Sequence, residues 1–222
     1  MQKKIAFNLD TVVSPVLQIR PCGDLPDLSD VKTLVFTSAH AVRTLADRTA
    51  ARSFTCYTVG PGTFSCATKL GFDARDGGGT VRQMIARITQ DNPGTPCLYV
   101  RGRHVAHDVV HSLNAAGLKT LDAVLYDQVE CPLSDKARAL ITSGRPLVLP
   151  LFSPRSAQLL FGGYQIARAH VIAMSKAVAA QVPEDRAASL TIAARPDAPA
   201  MVREVCAFLE RTKQLDGNRR AQ

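Results

Sequence analysis

A chain of 222 residues, 46% apolar and 21% charged, can build a core for one large or two small domains and carries too little charge for a disordered chain. Its formal charge of +8 favours anionic partners, while 5% aromatic content and the absence of Trp argue against a base-stacking RNA surface. No apolar run is long enough for a membrane span or a signal-peptide core, so a cytoplasmic protein with no membrane partner is expected, its six cysteines reduced and none in a C-x-x-C pair.

In chain order, VVSPVLQI (12–19) reads as an edge or linker strand because it is β-branched and contains a Pro. RPCGDLPDLSD (20–30) is a loop, and KTLVFTS (32–38) is a continuous apolar run of the kind covered on both faces. AHAVRTLADR (39–48) carries Val42, Leu45 and Ala46 at helical spacing. SFTCYTVG (53–60) is a strand, TFSCATKLGF (63–72) a short helix ending at Gly71, and ARDGGGT (74–80) a loop. VRQMIARITQ (81–90) is a helix with Met84, Ile85 and Ile88 inward, and PCLYVRGR (96–103) is a strand running into a basic turn. HDVVHSLNAAG (107–117) is a helix and LKTLDAVLYDQVEC (118–131) is extended.

LSDKARALITSG (133–144) predicts a helix capped by Ser134, followed by a strand in RPLVLPLFS and a helix in SPRSAQLLFGG (153–163). HVIAMS (170–175) is a strand, KAVAAQV (176–182) a helix and SLTIAAR (189–195) a strand. DAPAMVREVCAFLERT (197–212) is an amphipathic helix with Met201, Val205, Phe208 and Leu209 on its apolar stripe, and QLDGNRRAQ is a solvated tail. Strands alternating with helices predict βαβ units and parallel sheets.

The pattern repeats. FTSAHAV leads through a strand to VGPGT, and LFSPRSA leads through a strand to AMSKA; 22 positions separate Ser38 from Gly60 and also Ser153 from Ser175. A short helix and a further strand follow in each copy. Thr37, Ser38, Gly60 to Thr63, Arg101 to Arg103 and Ser153 to Arg155 all fall at strand C-terminal ends ahead of a helix. Ligands of open α/β sheets bind there, and helix N-termini offer N–H donors to carboxylate or phosphate. If the two copies face one another, these loops line a shared cleft.

VGPGT (59–63) is either a helix entry capped by Thr63 or a ligand contact; it lacks the spacing of the common phosphate loops. Arg101 and Arg103 either clamp an anion or are solvent-exposed. His107 and His111 stand at i, i+4, with His104 and Asp108 nearby, yet no H-E-x-x-H or cysteine pattern accompanies them, so no metal is expected. Ser38 and Ser153 lack a nucleophile elbow, and Asp10, Asp30 and Asp127 form no defensible triad. Tyr126 stands mid-strand in AVLYDQVE, on the stretch that crosses between the repeats.

Taken together, FTSAHAV (36–42), VGPGTFSCATKLGF (59–72), YVRGRHVAHDVVHSLNAAGL (99–118), VLYDQVECPLS (124–134), LFSPRSAQLL (151–160) and AARPDAPAMVREV (193–205) resemble the uroporphyrinogen-III synthase family. The resemblance implies two flavodoxin-like three-layer α/β domains with parallel sheets: residues 30–122 in the middle, and residues 1–20 with 132–222 from the two ends. Segments 12–21 and 123–131 would be a two-stranded antiparallel linker. It also implies a reaction without metal or organic cofactor, in which hydroxymethylbilane loses water, inverts its last pyrrole ring and closes to uroporphyrinogen III. Tyr126 would be the proton donor to the departing hydroxyl. Thr37, Ser38, Gly60, Thr63 and Arg101 would contact this polycarboxylate substrate in the middle domain, and Ser153, Arg155 and Ser175 in the terminal one. A monomer receiving its substrate from the bilane synthase is the expected assembly.

This chain departs from the family in two places. MSKAV holds the place of a second glycine–threonine loop, with Ser175 and Val178. The family also opens with a strand and a full helix ahead of VVSPVLQI, whereas MQKKIAFNLD reads as the tail of that helix. A strand and most of a helix are thus expected to be absent, with a loss of stability. A different class of function fits the same residues: a non-catalytic two-lobed binding module for a small polyanionic ligand.

Overall fold

The computed structural model describes residues 10–105, 107–166 and 169–219, with side chains to residue 212. The opening MQKKIAFNL therefore lies outside the described residues. The chain divides into two compact units: Gln18–Val129, and the residues up to Leu17 together with those from Glu130 onward.

In the first unit the order is β1 (Leu17–Pro21), β2 (Thr33–Phe36), α1 (Ala39–Ala46), β3 (Thr55–Thr58), α2 (Gly60–Lys69), β4 (Asp73–Asp76), α3 (Val81–Asp91), β5 (Cys97–Gly102), α4 (Val109–Ala115) and β6 (Thr120–Glu130). They form one sheet in the order β1-β6-β5-β2-β3-β4, parallel from β6 to β4. The edge pair is antiparallel. The Cys22 amide donates to the Leu125 carbonyl at 2.9 Å and the Cys131 amide to the Val16 carbonyl at 3.0 Å, so one strand ascends as the other descends.

Strand alternation explains the layers. Leu34 and Phe36 pack with Val42, Leu45 and Ala67 of α1 and α2. Val35, between them, packs on the opposite face with Met84, Ile88 and Leu113 of α3 and α4. Each such side chain, wholly buried, stabilises the fold by roughly 1.5–3 kcal/mol. The strand order reverses at β2, with β3 on one side and β5 on the other, so the crevice at its C-terminal end is where a doubly wound sheet takes a ligand.

The second unit holds α5 (Asp135–Thr142), β7 (Val148–Leu151), α6 (Pro154–Gly163), β8 (Ala169–Ala173), α7 (Lys176–Ala179), β9 (Ala187–Ile192) and α8 (Ala198–Arg219). Its sheet is parallel in the order β7-β8-β9. Val171 and Ala173 face α5, α6 and α7, whereas Ile172 faces Met201 and Phe208 of α8. The architecture is mixed α/β with parallel sheets and one antiparallel strand pair.

The internal repeat holds at the level of register. Thr33 opposes Thr55 and Val148 opposes His170, an offset of 115 residues at both positions. The bonds that close the first βαβ turn obey the same offset: the Val59 amide donates to the Phe36 carbonyl and the Met174 amide to the Leu151 carbonyl, each at 3.0 Å.

Several expected boundaries shift. The strand expected over 12–19 forms only from Leu17, because Pro15 has no amide proton and the Ser14 hydroxyl and Pro15 carbonyl are taken by the Ser134 amide and the Cys131 thiol. The expected loop at 74–80 begins as strand β4, whose backbone pairs with β3. The helix expected from 107 starts at Val109, because Asp108 caps it through the His111 amide. The helix expected over 176–182 is a single turn ending at Ala179. The expected solvated tail stays helical in its backbone to Arg219.

Candidate active site

Because β2, β3, β5 and β6 are parallel, their C-terminal ends share one edge of the first sheet. Thr37, Ser38, Gly60, Arg101 and Tyr126 stand on that edge, and Thr63 lies one turn into α2. Ser153 and Ser175 stand at the ends of β7 and β8 in the second unit, with Arg155 in the first turn of α6.

Thr37 and the three serines each have a local partner. Ser38 caps α1, its Oγ accepting from the His40 amide at 3.1 Å. The Thr37 hydroxyl shares a 2.9 Å hydrogen bond with the phenol of Tyr99 on β5. Ser153 caps α6 by accepting from the Ser156 amide at 3.0 Å, and its hydroxyl donates to Ser156 Oγ at 2.8 Å. Ser175 caps α7 by accepting from the Val178 amide at 3.4 Å.

The glycine loop differs from its expected form. Helix α2 begins at Gly60, three residues earlier than the pattern suggested, with Pro61 in its first turn where its missing amide proton costs nothing. Thr63 is therefore not the cap; Val59 holds that position and no side chain caps the helix. Thr63 is instead 7% exposed inside the helix. The Gly60 amide donates to the Gly78 carbonyl at 2.9 Å, and its φ of +75° is a conformation open to glycine at little cost.

Arg101 is partly buried and ion-paired. Its guanidinium is paired with Asp122 at 2.6 Å and also donates to the Gly102 and Arg103 carbonyls. Arg103 pairs with Asp127 at 2.9 Å, and His104 Nε2 lies 3.7 Å from the same carboxylate. Burial tends to push the Asp127 carboxyl up, but hydrogen bonds from Arg103 and the Gln128 amide outweigh it and hold the group below the usual carboxylate range. His107 and His111 do not share a helical face, since His107 precedes α4, and no metal-binding cluster occurs among the described residues.

Tyr126 is 5% exposed and packs into the α1 and α2 core with Leu125 and Phe36. Its ring centroid lies 6.1 Å from that of His40. Burial, and next the charge of Arg43, lower the His40 imidazole from its ordinary value, so His40 is a neutral group beside the phenol at neutral pH. Burial pushes the Tyr99 phenol up and keeps it protonated.

Sequence reasoning missed His40, Tyr99, Gly102 and Asp122. His40 and Tyr99 lie inside the quoted FTSAHAV and YVRGRHV stretches and carried a usable signal, each being a polar ring next to a strand end. Asp122 carried none, because its pairing with Arg101 depends on the β5/β6 register.

A comparison with curated proteins finds no match. The profile of the family described as Uroporphyrinogen-III synthase HemD matches residues 4–203. Among solved structures, the uroporphyrinogen-III synthetase of Helicobacter pylori is similar at 15% identity with a TM-score of 0.71, over 94% of this chain and 96% of that one. A mutant uroporphyrinogen III synthase from the extremely thermophilic bacterium Thermus thermophilus is similar at 14% identity with a TM-score of 0.52, over 89% of this chain and 88% of that one. These likenesses fix the fold, and the profile, which spans most of the chain, fixes the family: the chain belongs to the uroporphyrinogen-III synthase family.

Proposed function

We propose that this chain dehydrates and cyclises hydroxymethylbilane to uroporphyrinogen III, acting as a lyase in tetrapyrrole biosynthesis. The family match over residues 4–203 carries the reading. The net charge of +8 suits a substrate bearing many carboxylates.

In this reading Tyr126 donates its proton to the hydroxyl of the terminal hydroxymethyl group as the C–O bond breaks and water leaves. The azafulvene cation that remains is stabilised by the pyrrole nitrogens, so a weak acid suffices. The substituted carbon of the last ring then attacks, giving a spiro intermediate that reopens and closes through the free α-carbon of the inverted ring; that carbon loses its proton as the pyrrole is restored, which balances the proton Tyr126 gave up. The unaided molecule closes without inversion, so the protein's task is to hold the chain folded for the slower geometry, which is catalysis by positioning. Thr37, Ser38, Gly60, Thr63 and Arg101 would engage substrate from the first unit, and Ser153, Arg155 and Ser175 from the second. Where Ser and Arg side chains are already used as caps or ion pairs, their contribution would be the backbone they hold in place. The units would be flavodoxin-like domains of a cytoplasmic monomer, with substrate received from the bilane synthase and no metal or organic cofactor required.

An assay that supplies hydroxymethylbilane in situ tests the reading. Uroporphyrin III after oxidation is expected; isomer I alone, at the spontaneous rate, would leave a binding module and no enzyme.

A further inference from the structure

The β5/β6 ladder runs in register to Arg101 opposite Val124, then slips, so that Gly102 opposes Tyr126 and Leu125 is passed over. The Arg103 amide closes the ladder on the Tyr126 carbonyl at 3.0 Å. This is a β-bulge, and its effect on side-chain direction is visible. Ala123 and Leu125 face the α1 and α2 layer by simple alternation, and Tyr126, the very next residue, faces that layer as well. Without the slip the phenol would point to the other side of the sheet. Two ion pairs bracket the slip and hold it in place: Arg101 with Asp122 before it, Arg103 with Asp127 after it.

Residue 102 is the floor under the redirected ring. A Cβ there would stand 2.6 Å from Tyr126 Cε2, 2.7 Å from Cζ and 3.1 Å from the phenol oxygen. Side chains do not tolerate the first two distances, so either the ring or the strand must give way. The three atoms concerned are all at the hydroxyl end of the ring, the end that would meet substrate. The φ of Gly102 lies outside the positive range that favours glycine, so the demand for glycine at this position is one of space and not of backbone conformation.

We infer that Gly102 is a positioning residue for the reaction, a glycine seat on a pinned β-bulge that sets where the Tyr126 hydroxyl stands. The inference rests on the reading of Tyr126 as proton donor. Displacing a reacting group by a fraction of a bond length at a site that works by positioning is expected to cost on the order of tenfold to a hundredfold in rate.

The test is a double-mutant cycle with hydroxymethylbilane as substrate, reading kcat, KM, the III to I isomer ratio and the melting temperature. Gly102→Ala is expected to lower kcat by about tenfold or more and raise the share of isomer I, with KM within about twofold. In the Tyr126→Phe background the same change is expected to have no further effect on kcat, because the hydroxyl it misplaces is already gone. If Gly102→Ala folds poorly, the same change made in the Tyr126→Ala background is expected to lower the melting temperature little further, since the ring that collides is already gone. Wild-type kcat in Gly102→Ala overturns the inference, as does an undiminished kcat loss in the Tyr126→Phe background or an undiminished thermal loss in the Tyr126→Ala background. Wild-type kcat in Tyr126→Phe alone overturns the proton-donor reading itself, and the role of Gly102 with it.

Discussion

The Thr37 hydroxyl and the Tyr99 phenol meet at 2.9 Å across the neighbouring strands β2 and β5. This bond ties the last residue before the Ser38 cap to the strand that carries Arg101 and Gly102. It lies at the reversal point of the sheet, where the loops on either side must keep their spacing for a ligand to be gripped.

Tyr99→Phe removes that tie and leaves the buried ring in place. We expect a loss of about 1 kcal/mol in stability to urea, the net worth of one partly buried hydrogen bond. Thr37→Val should cost a similar amount, and the double variant should cost less than the sum, because both changes delete the same bond. Full additivity in the urea midpoints would mean that the two hydroxyls are not coupled.

His40 gives the stability a pH dependence of defined sign. Its folded-state value is lowered, first by burial and then by Arg43, so between that value and the ordinary imidazole range near 6.5 the unfolded chain binds more protons than the folded one. The contribution is fully present above about pH 6.5 and is lost as pH falls through the folded value. His40→Gln should flatten this part of the stability profile. The group that faces His40 from the sheet is the ring of Tyr126, 6.1 Å away between centroids. An unchanged slope between pH 7 and pH 5 in His40→Gln, measured by urea unfolding, would contradict the assignment.

Thr63 and Val178 occupy equivalent places after Gly60 and Ser175 in the two copies, but only Thr63 carries a hydroxyl. If that hydroxyl contacts substrate, Thr63→Val should reduce kcat/KM by roughly fivefold to tenfold, the worth of one hydrogen bond, with the melting temperature nearly unchanged. Equal kcat/KM in wild type and Thr63→Val would remove Thr63 from the binding set.

Much of this arrangement was legible in the residues. The apolar runs around Leu34, Leu98 and Ile172 read as strands, the first as one covered on both faces, and Ser134 as the cap that starts α5, while Ser38 and Ser153 were legible only as strand-end residues ahead of a helix. The 22-residue spacing from Ser38 to Gly60 and from Ser153 to Ser175 marked the repeat, since equal βαβ turns need equal connections. What could not be read depends on pairing between strands. The partner of Arg101 is settled by which residue of β6 comes to lie opposite it, and the direction of Tyr126 by a single slip in that register. Gly-Pro-Gly at 60–62 misled for a different reason: it looks like a helix breaker, yet Pro and Gly are both tolerated in a first turn.

The isomer of porphyrin produced is the most direct test of the account. Hydroxymethylbilane should be generated in the presence of the protein, the products oxidised, and isomers I and III separated chromatographically against a protein-free control. The account predicts isomer III in large excess with the wild-type chain and a marked shift toward isomer I with Tyr126→Phe. An isomer ratio identical to that of the protein-free control would contradict it.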